Sequence, residues 1–163
     1  MKGINELVLG IKSGYSFFYL ESQEINRTVE DIKVCINGGK ERQIVVWDHE
    51  SSDPSTGESK FNDPDEALLL LENMSGGSDN VPPNTVVIAK NYNWFLVDEY
   101  GNCNKSRTSW LLNRSAKFSR PEARKILIIV GNAPFDKAIP DVLKRDFAHI
   151  ELELPDEKEI EQV

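Results

Sequence analysis

Apolar positions in this chain alternate between helical stripes and short unbroken runs. Ile4, Leu7, Val8 and Ile11 recur at i, i+3, i+4 and i+7, the stripe of a short amphipathic helix that Gly14 ends. Phe17 to Leu20, within a strand opening at Ser16, is a continuous apolar run that suits a strand covered on both faces. Ile25, Val29, Ile32 and Ile36 give a second helical stripe, closed by Gly38-Gly39. Gln43 to Trp47 reads as a second buried strand, rich in β-branched residues. His49 to Asn62 is polar, with Ser, Asp, Gly and Pro, and is expected to be a mobile loop.

The sharpest local signal is Asp63-Pro64-Asp65-Glu66. Asp63 is placed to cap free amides, Pro64 suits a first helical position, and Glu66 can reach back to close a capping box. A helix over Ala67 to Met74 follows and stops at Gly76-Gly77. Pro82-Pro83 introduces a third strand, Thr85 to Ala89. An irregular stretch, Asp98 to Ser106, leads into a helix carrying Trp110, Leu111, Leu112 and Phe118. Ile126 to Val130 and His149 to Leu154 read as strands four and five, with a short helix around Pro140 to Lys144 between them. Strands alternating with helices imply an α/β fold of three layers, α/β/α, around a mostly parallel five-stranded sheet.

Size and charge narrow the function classes. With 163 residues, 39% of them apolar, the chain fits one compact domain over 1–163 with a proper core. The formal net charge of −8, from 27 acidic and 19 basic residues, argues against nucleic acid or an anionic membrane as partner. Lys105 to Arg124 is the only stretch basic enough to form a local strip, and it reads better as a solvated helix face. Cys35, in an apolar helical register, and Cys103, in a polar loop, have no histidine at metal-ligand spacing. A reduced, cytoplasmic chain is expected. No apolar run resembles a signal peptide or approaches the roughly 18 residues of a membrane span.

In a parallel sheet, ligands bind beyond the carboxyl ends of the strands, so the residues after each strand are the candidates. After the first strand stand Glu21, Ser22, Gln23 and Glu24, with no glycine and no lysine. A phosphate loop needs glycine amides close to the phosphates and a lysine to neutralise them. Ser22 and Glu24 instead complement the dipole of the following helix. After the third strand come Lys90 and Asn91, then Tyr92-Asn93. Lysine repels a metal and asparagine ligates one poorly. Asp48-His49-Glu50 is the only compact histidine–carboxylate cluster, Gly131-Asn132 follows the fourth strand, and His149 looks structural. Trp47, Trp94, Trp110 and Phe95 are expected to fill core.

The order of these parts resembles the ATPase core of the AAA superfamily. It is most similar to the degenerate N-terminal RecA-like domain of AAA-like proteins from a chloroplast and cyanobacterial reading-frame family. Glu21-Ser22-Gln23-Glu24-Ile25-Asn26-Arg27 looks like that family's stretch after its first strand, and Ala89-Lys90-Asn91-Tyr92-Asn93 like its metal-site segment, with Asn91 replacing the acid. Lys125 to Glu159 looks like an AAA fourth strand with a sensor at Asn132, then Ile139-Pro140-Asp141-Val142-Leu143, then a fifth strand ending in Leu154-Pro155-Asp156. The resemblance implies a P-loop NTPase-like topology without a functional P-loop. It also implies degenerate phosphate-loop and metal-site positions, and an inter-subunit contact at Lys144 and Arg145, where AAA proteins carry an arginine finger.

Three readings stay open on the sequence. The leading one is a non-catalytic AAA-like domain, the N-terminal part of a longer AAA ATPase, serving assembly or partner recognition for a downstream ATP-hydrolysing domain. It holds no cofactor itself, while the parent protein uses ATP and Mg and forms a homo-oligomer. The second is an enzyme of another class built on Asp48, His49 and Glu50, or on the acidic loop around Asp53 and Glu58. The third is a stand-alone cytosolic interaction protein.

Overall fold

A computed structural model of the chain describes residues 2–37, 43–76, 85–120 and 124–152. In chain order these form α1 (Lys2–Lys12), β1 (Phe17–Glu21), α2 (Ile25–Asn37), β2 (Ile44–Trp47), β3 (Glu50–Ser52), β4 (Ser59–Phe61) and α3 (Pro64–Gly76). Then follow β5 (Thr85–Lys90), a 3-10 turn (Tyr92–Phe95), α4 (Lys105–Phe118), β6 (Lys125–Gly131), α5 (Phe135–Ala138), a second 3-10 turn (Asp141–Leu143) and β7 (Phe147–Glu151). Five strands in the order β2-β5-β6-β1-β7 make a sheet in which every pairing is parallel.

Three crossovers step across this sheet in one direction, whereas α2 carries the chain from β1 back past two strands to the β2 edge. Right-handed crossovers running in opposite directions must place their helices on opposite faces. The packing follows. Phe17 and Tyr19 of β1 join Leu71 of α3, Leu111 and Phe118 of α4, and Ile139 in one buried cluster. Phe18 and Leu20 face the other way, onto Leu7 of α1 and Ile32 of α2. Successive residues of β1 therefore feed two cores, which is why the strand reads as an unbroken apolar run.

Local chemistry sets the helix limits. Gly14, at φ +101, closes α1 with a left-handed turn. At the start of α3 the Asp63 carboxylate accepts the Asp65 amide at 2.9 Å, so the capping signal is realised and the helix begins at Pro64. Among the described residues no helix is long and apolar enough to cross a membrane.

The structure departs from the sequence reading in several places. Residues 49–62 are not one irregular loop: β3 and β4 pair antiparallel. Their turn is built by Asp53, whose carboxylate accepts the Ser55 amide and hydroxyl at 2.8 and 2.7 Å, and by Gly57 at φ +74. All six strand residues are exposed, so no alternation betrays the hairpin. The last strand begins at Phe147 rather than His149, because Phe147 pairs with Phe17 in register and their rings stand 5.3 Å apart. The short helix expected around Pro140 to Lys144 is a 3-10 turn preceded by α5. Cys35 is exposed despite its apolar neighbours, and Cys103 is exposed too. Gly38-Gly39, Gly77, Pro82-Pro83 and the stretch from 153 onward lie outside the described residues.

Phe17 is fully buried between the Phe118 and Phe147 rings. We expect Phe17→Ala to lower the unfolding free energy by about 3–5 kcal/mol in urea titrations. Val34→Ala, on an exposed face of α2, is expected to change it by less than about 0.5 kcal/mol.

Candidate functional site

The one reversal of crossover direction falls between β1 and β6, and an open α/β sheet offers its ligand crevice at such a switch point. Glu21 and Gly131 are register partners at the carboxyl ends of these two strands. The crevice is occupied by the protein's own groups. The Glu21 carboxylate accepts the Phe135 amide at 3.3 Å and lies 3.2 Å from His149 Nε2. The His149 ring stacks on Phe135 at 4.6 Å. Tyr19 donates its hydroxyl to the Ala133 carbonyl at 2.5 Å. The segment after β6 is thereby tied to β1 and β7.

The turn into α2 is closed from within as well. Ser22 is buried and its amide donates to Gly131 O at 2.8 Å. Its hydroxyl shares a 2.7 Å hydrogen bond with Thr28 Oγ1 and accepts the Glu24 amide at 3.1 Å. Glu24 turns outward to Arg27 at 3.3 Å, and Gln23 is exposed. Of the four residues expected at a phosphate-loop position, Glu21 and Ser22 thus line the crevice, while Gln23 and Glu24 face solvent.

Across the crevice the chain leaves β5 through Lys90 and Asn91. Lys90 Nζ lies 3.5 Å from the Asp48 carboxylate. Asn91 sits at φ 54, a left-handed conformation that asparagine tolerates, and its amide donates to Val130 O at 2.7 Å. Asn93 is buried under the same strand ends. A Cβ on Gly131 would stand 2.5 Å from Asn93 Oδ1 and 2.9 Å from the Tyr19 hydroxyl. The crevice floor is packed so closely that any larger residue at 131 would have to displace the Asn93 or Tyr19 side chain.

The remaining candidates are dispersed. Asn132 is exposed one residue beyond Gly131, beside the β1 end. Lys144 is held by Asp141 at 2.7 Å and Asp136 at 3.5 Å, which raises its pKa, the Asp141 hydrogen bond being the first cause. Arg145 instead lines a cavity of about 430 Å³ with Tyr15 and Ser119 at the opposite end of the sheet. Asp48, His49 and Glu50 do not converge. Asp48 turns to Lys90, Glu50 is exposed on the hairpin, and the His49 ring packs between Phe95 at 4.8 Å and Phe61 at 5.3 Å. Of the aromatics expected in the core, Trp47 is buried and Trp110 and Phe95 are partly so, but Trp94 is exposed. The basic stretch is largely engaged: Arg107 binds Asp65 at 2.9 Å, Arg114 binds Glu72 at 3.2 Å, and Arg124 donates to the Ile11 and Tyr15 carbonyls. Sequence reasoning missed the roles of Tyr19, Asn93 and His149. The register that places Glu21 and His149 on one face of neighbouring strands cannot be read before the strand order is known.

The family described as SpoVK-like AAA ATPase, N-terminal domain, matches residues 4–152. The chain belongs to that family. A curated relative, an uncharacterized AAA domain-containing protein ycf46 of Trieres chinensis, is 28% identical over 166 residues, covering 99% of this chain and 30% of its own length. The chain thus spans about a third of that relative. The fold and the family agree with the AAA-type α/β domain expected from the order of motifs.

Two outcomes follow from the packed crevice. Gly131→Ala is expected to lower the unfolding free energy by about 1–3 kcal/mol in urea titrations, because a methyl has no room there. Burial, and then the Glu21 carboxylate, push the Tyr19 phenol above its ordinary 10.0, and burial does the same for Tyr92. The unfolded chain releases these protons first, so their contribution to stability is whole below about pH 10 and falls as pH rises further. Chemical melts at stepped alkaline pH are expected to show that decline, shallower in Tyr19→Phe.

Proposed function

We propose that this domain does no nucleotide chemistry of its own. It serves assembly or partner recognition for an ATP-hydrolysing domain in the same cytoplasmic polypeptide, which acts as a homo-oligomer with ATP and Mg. The observation that carries this reading is the crevice between β1 and β6, where the Glu21 carboxylate accepts the Phe135 amide and Ser22 Oγ accepts the Glu24 amide and bonds Thr28. A unit negative charge about 5 Å from the Glu21 carboxylate would be repelled by roughly 3 kcal/mol at an effective dielectric near 20. A triphosphate carries several such charges, and no lysine follows β1 to offset them.

Lys90 and Asn91 take the metal-site position in this reading, which is supported by Lys90 being drawn to Asp48. In this reading Asn132 keeps a sensor-like place without a nucleotide to sense, and Lys144 and Arg145 contribute to subunit contacts. The enzyme alternative gains nothing from the geometry, because the His49 ring packs against Phe95 and Phe61 with Nδ1 3.0 Å from Asn62 O, and the neighbouring carboxylates turn elsewhere.

Isothermal titration of the purified chain with ATP and magnesium tests the reading. The expected result is no binding with a dissociation constant below about 1 mM, the weak end of specific affinity. Micromolar binding, or turnover of ATP by the chain alone, contradicts it.

A further inference from the structure

An open groove of about 1180 Å³ runs between the loop after β5 and the connection from β6 to β7. It is larger than the usual small-molecule pocket of roughly 300–1,000 Å³. Ten large apolar side chains are exposed among the described residues, and three of them stand on this groove: Trp94 at 57%, Tyr100 at 81% and Val142 at 58%. Exposed Trp and Tyr in one concavity are the residues that anchor protein interfaces.

The aromatic loop is held in place. Asp98 accepts the Tyr100 and Asn102 amides, each at 2.9 Å, Gly101 turns at φ +84, and Val97 bridges to Cys103. Tyr100 is therefore presented on a fixed turn, at little ordering cost to a partner. Carboxylates stand on both walls: Asp98 and Glu99 on one, Asp136 and Asp141 on the other. Lys105 and Lys137 are the only cations in the lining, two against four acids. Lys144, beside the lining, is held by Asp141 and Asp136, so the four acids face three cations and the groove keeps a net negative charge.

Resting on the partner-recognition reading above, we propose that this groove docks a segment of a partner protein that carries arginine or lysine beside an apolar side chain. The cation is recognised by the paired walls of carboxylate and by the Trp94 and Tyr100 faces, and the apolar side chain by Val97, Ile139 and Val142.

A displayed library of random ten-residue peptides, selected on the purified chain at physiological salt, tests this. The expected winners are net positive with at least one large apolar residue. Their affinity is expected to fall by about tenfold or more on Tyr100→Ala and on Val142→Lys, but not on Val34→Lys, a control at an exposed apolar site away from the groove. Circular dichroism melts verify that each variant is folded. No enrichment, acidic winners, or winners that bind the groove variants unchanged overturn the groove. Sedimentation velocity supplies a further arm: a dimer abolished by Val142→Lys would make a second copy the occupant and overturn the partner segment. These failures are distinct from that of the broader reading, which falls only if the chain binds ATP in the titration described above.

Discussion

The carboxylate of Glu21 decides what the end of this sheet can do. It sits where the chain reverses its direction across the sheet, the position at which the fold would otherwise leave a vacant, amide-lined crevice. Instead the carboxylate draws in the Phe135 amide and His149, so that β1, β7 and the segment after β6 are fastened to one acidic group. Charge-assisted hydrogen bonds of this kind are stronger than neutral ones, and the Phe135 amide that donates to Glu21 is a donor already taken. Next to it, Asn91 Oδ1 and Asn93 Oδ1 are buried with no hydrogen-bond partner, so the satisfaction is that of the Glu21 and Ser22 groups and not of the whole crevice.

The surrounding packing is consistent with that choice. Tyr19 spans from β1 to the Ala133 carbonyl, and Ser22 joins the turn to Thr28 one helical turn into α2. Asn93 presses its side chain against Gly131 from below. Each contact fills volume or hydrogen-bonding capacity at the carboxyl end of the sheet. The framework of an AAA-type domain is present, with its two cores and five parallel strands.

Much of the framework is legible in the chain because the physics is local. Unbroken apolar runs mark β1, β5 and β6 as strands covered on both sides, although the run of β2, expected to be buried, belongs to a partly exposed edge strand. The stripe from Ile4 to Ile11 marks α1, and Asp63-Pro64 marks the start of α3. The exposed β3–β4 hairpin escapes notice because it buries no side chain and so leaves no pattern. The start of β7 is missed because it is set by a partner strand, through Phe17 and Phe147. The site divides in the same way. The absence of glycine and lysine after β1 is visible at once, whereas the pairing of Glu21 with His149 depends on the order β6-β1-β7, which no single segment encodes. Trp94 misleads because aromatic residues are usually core, and a 3-10 turn directs this one outward to the groove.

If the crevice is already filled by the protein's own groups, its amides have no reason to notice a nucleotide. The most direct measurement follows the backbone amide NMR signals of Glu21, Ser22, Glu24 and Phe135 as ATP and magnesium are added to the isotope-labelled chain. Those signals are expected to stay where they are through millimolar nucleotide. Saturable movement of the Ser22 and Phe135 amides, with the Glu21–His149 contact broken, would show that the crevice opens to phosphate and would contradict the central claim.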